Sequence, residues 1–229
     1  MKSNYIHVCF VIDESGSMYS SKEDVIGGVQ KVVDEQKANT NGTCSISLYK
    51  FNSSVIECYT FKDVNSIPEF QYNPSMCTAL NDGIGTAIDS IGKKLAEMDE
   101  DERPEQNMIV IITDGYENAS KEYTFEQCKK MIKHQEDKYN WKFIYLGVDL
   151  ASMEQADRFG FKNQGYSVRS KMSNMYDAVN SSANVYRNTE GDYSKKSATL
   201  DASLYFTTSA LNAEYLADTT SEKADLSNV

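Results

Sequence analysis

The sequence predicts an α/β protein with a doubly wound, mainly parallel central sheet, one antiparallel edge strand and helices on both faces. Two observations carry that expectation. Short, nearly continuous apolar runs at 5–12 and 108–113, rich in β-branched and aromatic residues, read as strands buried on both faces, as parallel sheets require. Between the strands lie longer segments whose apolar residues recur every three or four positions, the stripe of a helix packed on a sheet. Strand and helix alternating in this order build a parallel sheet through crossover connections.

The elements follow in turn. Tyr5 to Ile12 forms the first strand and stops abruptly on Asp13-Glu14-Ser15-Gly16-Ser17-Met18. Val25, Ile26, Val29, Val32 and Val33 stripe a helix over 22–37. Cys44 to Phe51 alternates polar and apolar residues as a half-buried strand does, and Asn52-Ser53-Ser54 turns it into a second run, Val55 to Tyr59, a hairpin at one sheet edge. After a loop with Pro68 and Pro74, the segment Cys77-Thr78-Ala79-Leu80-Asn81-Asp82-Gly83 opens a helix with Ile84, Ile88, Ile91, Leu95 and Met98 on one face. Pro104 follows its end, and Met108 to Thr113 is a second apolar strand that stops on Asp114-Gly115. Thr124 and Gln127 match a capping box for a helix with Phe125, Cys128, Met131 and Ile132 buried. A strand over 141–148, a short helix near 153–159, a small strand near 165–168 and a last helix bearing Met172, Met175, Tyr176, Val179 and Tyr186 complete the alternation. Residues 1–188 are therefore read as one domain. Residues 189–229 are read as a polar C-terminal extension without a core of its own, disordered or docked on a partner, with one apolar island at Leu204-Tyr205-Phe206.

Composition narrows the function. A net charge of −11 with scattered basic residues excludes the clustered Lys/Arg footprint of a nucleic-acid binder. No run of about 18 apolar residues suggests a membrane span, and the amino terminus lacks a secretory pattern. Five cysteines without CxxC spacing, mostly inside apolar runs, suggest reduced thiols. The expected location is cytoplasmic, or a virion or intracellular complex for a phage-encoded chain. His7 and His134 fit no ligand set and read as packing or surface residues.

Asp13, Ser15 and Ser17 stand just past the carboxyl end of a buried strand, where α/β sheets bind ligands. Hard oxygen donors without thiolate or imidazole suit Mg²⁺ or Mn²⁺. Taken alone, the three residues equally fit a helix cap. Thr78 before the second helix and Asp114 after the central strand change that balance. Together, Asp13-x-Ser15-x-Ser17, Thr78 and Asp114 resemble the von Willebrand factor A (vWA) domain, and more narrowly its metal-ion-dependent adhesion site. The resemblance runs from about Tyr5 to Tyr186, and the contexts Thr-Ala-Leu-Asn-Asp-Gly and Thr-Asp-Gly-Tyr-Glu-Asn are similar to bacterial and phage members.

The resemblance implies a Rossmann-like fold and a metal site of five residues: Asp13, Ser15, Ser17, Thr78 and Asp114. It also implies that the two serines hold the ion directly, that one or both aspartates act partly through water, and that an Asp or Glu of a protein partner fills the open position. Tyr19, Asp82, Tyr116 and Glu117 are expected at the rim as ligand contacts. The expected function is a non-enzymatic, Mg²⁺- or Mn²⁺-dependent binding module acting in assembly or recruitment. Two alternatives stand beside it: a structural component of a bacterial or phage assembly that makes contact through the extension, and a Mg²⁺-dependent phosphoryl-transfer enzyme. The last lacks a second acidic residue two positions after Asp13, where Ser15 stands.

Overall fold

The computed structural model describes residues 1–115, 117–147, 150–161, 163–166, 173–189 and 195–196. Six strands, β1 Lys2–Asp13, β2 Thr43–Phe51, β3 Val55–Asp63, β4 Pro104–Thr113, β5 Lys142–Gly147 and β6 Asn163–Tyr166, form one sheet in the order β3-β2-β1-β4-β5-β6. Among the described strands only β3 runs antiparallel, paired with β2 at the edge. Among the described residues five α-helices accompany them: α1 Lys22–Ala38, α2 Leu80–Glu97, α3 Phe125–Tyr139, α4 Leu150–Phe159 and α5 Ser173–Asn188.

The period of two in β1 sorts the helices onto faces. Ile6, Val8, Phe10 and Ile12 pack with Val25, Val29, Val32 and Val33 of α1 and with Tyr176, Val179, Ala183 and Tyr186 of α5. Cys9 and Val11 point the other way, toward Leu80, Ile84, Ile88 and Ile91 of α2 and Cys128 and Ile132 of α3. Each such fully buried apolar side chain contributes about 1.5–3 kcal/mol, and the polar residues that the central strands do bury, such as His7, are hydrogen-bonded. The capping box of α3 is present, with the Thr124 hydroxyl accepting from the Gln127 amide.

Several boundaries differ from the sequence reading. β4 begins at Pro104 rather than Met108, because the first position of a strand tolerates a missing N–H and the polar run Glu105-Gln106-Asn107 is buried and bonded. β3 runs on to Asp63, and α2 stops at Glu97, leaving Met98 as its half-buried cap. Of the predicted positions near the carboxyl end, Val148, 167–168 and Met172 lie outside the described residues, as does the extension apart from 189 and 195–196. Cys58, unlike buried Cys9, Cys44 and Cys128, is exposed, as Cys77 is.

β2 is buried on both faces rather than half-buried. Its polar positions are covered by neighbouring strands instead of water. Ser45 Oγ meets the Tyr5 hydroxyl at 2.8 Å, and Ser47 Oγ accepts from the Phe61 amide at 2.9 Å and meets His7 Nε2 at 2.8 Å. His7 is fully buried, stacked on Phe61 at 3.9 Å and bonded through Nδ1 to Asn107 Oδ1 at 3.2 Å. Burial pushes its pKa down to about 3, with the Asn107 bond opposing that.

A folded pKa below the unfolded value makes His7 stabilise the fold fully above pH 6.5 and progressively less as pH falls toward 3. Comparing urea unfolding of the wild type with His7→Gln, we expect the wild type to lose about 2 kcal/mol relative to the variant between pH 7 and pH 5, at about 1.4 kcal/mol per unit. Parallel pH dependences for the two proteins would rule this out.

Candidate metal centre

β1 and β4 are neighbours, and the connections leaving them diverge: β1 leads through α1 to β2 on one side, β4 through α3 to β5 on the other. Such a switch point opens a crevice at the carboxyl ends of the strands. Asp13 closes β1, Asp114 follows β4, and Thr78 enters from the loop before α2. The structure therefore brings together all five residues that the sequence singled out.

Their side chains are held in place. Asp13 is fully buried; its Oδ1 accepts from the Ser15 amide at 2.8 Å and its Oδ2 from the Thr113 hydroxyl at 2.6 Å. The Ser15 and Ser17 hydroxyls stand 3.1 Å apart, and Ser17 Oγ donates to Asp114 Oδ1 at 2.7 Å. Ser15 sits at the cap position of the short 3₁₀ turn Gly16–Ser21 without using its side chain as a cap, and α1 likewise has no side-chain cap. The helix-cap alternative therefore does not account for these hydroxyls. Thr78 is clamped by Asn118, whose Oδ1 accepts from the Thr78 amide at 2.9 Å and whose amide donates to the Thr78 carbonyl at 3.0 Å.

A cradle is visible at Gly115. A Cβ placed there would lie 3.8 Å from Ser17 Oγ and 3.9 Å from Thr78 Oγ1, so both hydroxyls stand beside the same glycine. Among the described residues no three His, Cys, Asp or Glu side chains cluster as a metal site. The donors here are two carboxylates and three hydroxyls, all hard oxygens, which fits Mg²⁺ or Mn²⁺ and not a soft metal. Burial pushes the Asp13 pKa up to about 6; hydrogen bonds from Ser15 and Thr113 lower it, and the nearby negative charge of Asp114 raises it. A cation between the two carboxylates would reverse that repulsion.

The expected rim divides. Tyr19 is 72% exposed beside Ser17, and Tyr116 lies outside the described residues. Asp82 and Glu117 do not offer free carboxylates to a ligand. Asp82 accepts from the amides of Lys121, Glu122 and Tyr123, and Glu117 accepts from the amides of Asn81, Ala119 and Ser120 and from the Ser120 hydroxyl. They pin the loop after β4 onto the start of α2, where backbone donors lack helical partners. Met76, 73% exposed with φ of 68°, is a rim residue the sequence did not single out; its carbonyl accepts from the Gly16 amide.

Other supports were also missed. Glu14 is buried and accepts from Lys50 Nζ at 2.7 Å and the Asn73 amide at 2.7 Å, fastening the loop before α2 to β1. The Tyr72 hydroxyl donates to the Asp13 carbonyl. Nothing local marks Tyr72 or Asn118, whose partners lie 59 and 40 residues away. Thr113 was legible only as the last strand residue.

A parallel sheet flanked by helices, with this oxygen cluster at its switch point, defines a Rossmann-like domain with a candidate divalent-metal site. The family model for the von Willebrand factor type A domain matches residues 7–181, and the chain belongs to that family, whose members are known for metal-dependent protein interactions. Solved structures similar in fold include the vWF domain of the type V pili tip protein Mfa5 from Porphyromonas gingivalis, at 10% identity, TM-score 0.61, covering 84% of this chain and 99% of that one. Proximal thread matrix protein 1 from the mussel byssus is similar at 16% identity and TM-score 0.54, over 79% of this chain. Manganese-loaded TRAP protein of Plasmodium vivax is similar at 15% identity and TM-score 0.51, over 75% of this chain and 71% of that one. The chain spans 46% of the length of the mussel protein. No curated protein matches the sequence. At these identities the likeness is one of fold.

Proposed function

We propose that the domain binds one Mg²⁺ or Mn²⁺ through Ser15, Ser17, Thr78, Asp13 and Asp114, and through that ion grips an Asp or Glu carboxylate of a protein partner, in assembly or recruitment and without turnover. The observation that carries this reading is the orientation of the Ser15 and Ser17 hydroxyls toward each other and Asp114 rather than toward backbone amides. Three of the five donors are neutral and the two carboxylates only balance the ion's two charges, so a cation held directly by hydroxyls, with an aspartate acting through water, would keep Lewis acidity for an incoming carboxylate. This gives a chain of net charge −11 a means of holding an acidic ligand. The manganese-loaded state named for the TRAP structure and the pilus-tip setting named for Mfa5 agree with such a role.

The test is a Mn²⁺ titration followed by electron paramagnetic resonance. One site is expected at pH 7.5, weakened at least about tenfold by Ser17→Ala through loss of one ligand. Because Asp13 must be ionised to serve and its pKa stands at about 6, apparent affinity is expected to hold above pH 6 and fall about tenfold per unit below it. No saturable Mn²⁺ signal, or an affinity indifferent to Ser17→Ala, would remove the metal from the reading.

A further inference from the structure

At the other end of the sheet from the metal centre, the last turns of α2 and α3 part over the first residues of β4 and leave a cavity of about 510 Å³. Pockets for small ligands run from roughly 300 to 1,000 Å³. The lining is mixed. Leu95 and the rings of Trp141 and Tyr139 are apolar, Glu105 and Asn107 are polar, and Arg103, Gln135, Glu100 and His134 stand around them, the last two exposed at the mouth. Arg103 is already engaged: its Nε and Nη2 both donate to the Met98 carbonyl, at 3.1 and 2.9 Å.

Two of the polar residues are buried, and each keeps one atom without a partner. Glu105 and Asn107 are 8% and 7% exposed and stand two apart on β4, so they point to the same face of the sheet. Glu105 Oε2 accepts from Lys196 Nζ at 3.0 Å and from the Asn4 amide at 2.8 Å, which leaves Oε1. The orientation of the Asn107 amide is fixed by His7. Ser47 Oγ accepts from the Phe61 amide, so its own proton goes to His7 Nε2, and His7 Nδ1–H donates to Asn107 Oδ1. The other end of that amide, Nδ2, is left. Among the described residues neither Glu105 Oε1 nor Asn107 Nδ2 has a hydrogen-bond partner, and buried polar groups seldom go without one.

That pair points to a ligand. An acceptor and a donor on one strand face complement the edge of a cyclic amide, where N–H stands beside C=O. Because Lys196 already pairs with Glu105, the floor calls for a donor and not for a further cation. Asp99, Glu100, Asp101 and Glu102, all exposed around the mouth, disfavour a phosphate or carboxylate on the ligand. Trp141 and Tyr139 offer a planar ring its stacking surface. We propose that this cavity binds a small, uncharged, planar heterocyclic amide, the class of the oxopurines and oxopyrimidines. Its N–H donates to Glu105 Oε1, its carbonyl accepts from Asn107 Nδ2, and its ring lies against Trp141. The metal centre, at the opposite end of β4, takes no part.

Trp141 is the chain's single tryptophan, so its fluorescence reports on the cavity directly. With EDTA present, inosine and uridine, one oxopurine and one oxopyrimidine, are titrated into the full chain. At least one is expected to change the emission saturably with a Kd below about 1 mM, and the tighter of the two gives the ring size. 1-Methylinosine and 3-methyluridine lack the N–H and are expected to bind at least about tenfold more weakly than their parents. Asn107→Asp keeps an oxygen for His7 and replaces the free donor by an acceptor, with the same expected loss and an unchanged circular dichroism spectrum. The comparison of methylated and parent nucleosides uses the wild type, so it decides the matter even where that variant fails to fold. No saturable change with either nucleoside would overturn the inference. So would a methylated analogue binding as tightly as its parent, or a folded Asn107→Asp variant binding as the wild type does.

Discussion

Asp13→Asn is expected to lower Mn²⁺ affinity at pH 7.5 at least about 100-fold, while metal-free unfolding stability stays level or rises by up to about 2 kcal/mol. The two effects have one cause. The carboxylate is fully buried, and its pKa is raised from 3.8 to about 6, so folding favours the neutral form. For an acid with a raised folded pKa, the favourable contribution is complete below about pH 3.8 and is lost as pH rises through 6, a cost of about 3 kcal/mol at neutral pH. Asparagine removes that cost. Its Oδ1 accepts from the Ser15 amide and its Nδ2 donates to the Thr113 hydroxyl, which rotates to receive it, at a loss of about 1–2 kcal/mol for weakening two charge-assisted bonds. The variant's advantage should therefore appear at pH 7.5 and vanish near pH 4. Denaturation in EDTA gives the stability and a Mn²⁺ titration the affinity. A variant that binds Mn²⁺ within about fivefold of wild type, or that loses more than about 2 kcal/mol without metal, would contradict the account of Asp13 as a charge held for a cation.

Gly28→Ala is expected to destabilise the domain by about 3 kcal/mol, although alanine favours the helical backbone by about 1 kcal/mol. A Cβ at Gly28 of α1 would lie 1.9–2.2 Å from three ring atoms of Tyr176 on α5. Tyr176 is fully buried, so the ring has no open space to move into and the helices must separate. Gly27, one residue earlier and exposed, has nothing within 4 Å of its would-be Cβ. Gly27→Ala should stabilise by about 0.5–1 kcal/mol, which makes it the control. Thermal unfolding of the two single variants, and of Gly28→Ala combined with Tyr176→Ala, reads the effect. The double variant should show a coupling of at least about 2 kcal/mol, and additive losses would place the damage elsewhere than the α1–α5 contact.

The candidate site was legible because most of its residues carry their own local marks. Asp13, Ser15 and Ser17 are two residues apart at the end of an apolar run, and Asp114 repeats the pattern after β4. Thr78 was legible only through its place in the family order. The polar positions of β2 misled because alternation states that one face is polar, not that the face is wet. Ser45 and Ser47 meet Tyr5 and His7 of the next strand, and His7 in turn meets Asn107, a hundred residues on. Asp82 and Glu117 were read as rim residues because they stand close in sequence to Thr78 and Asp114. Instead Asp82, in α2, receives amides of the loop after β4, and Glu117, in that loop, receives the Asn81 amide of α2.

By itself the sequence determined the alternation of strands and helices, the faces of α1, α2 and α3, the capping box at Thr124 and the five oxygen-bearing side chains of the centre. All but the grouping of Thr78 and Asp114 with Asp13, Ser15 and Ser17, which came from the family resemblance, is written in residues within a turn or two of one another, where periods of two and 3.6 and strand-end motifs act. Only the tertiary structure decided the order of strands around β1, the burial of β2, and the clamps that Thr113, Tyr72, Asn118 and the Glu14–Lys50 pair place on the centre. Those depend on partners separated by 36 to 100 residues, held by hydrogen bonds worth about 1 kcal/mol each once the sheet has set them side by side.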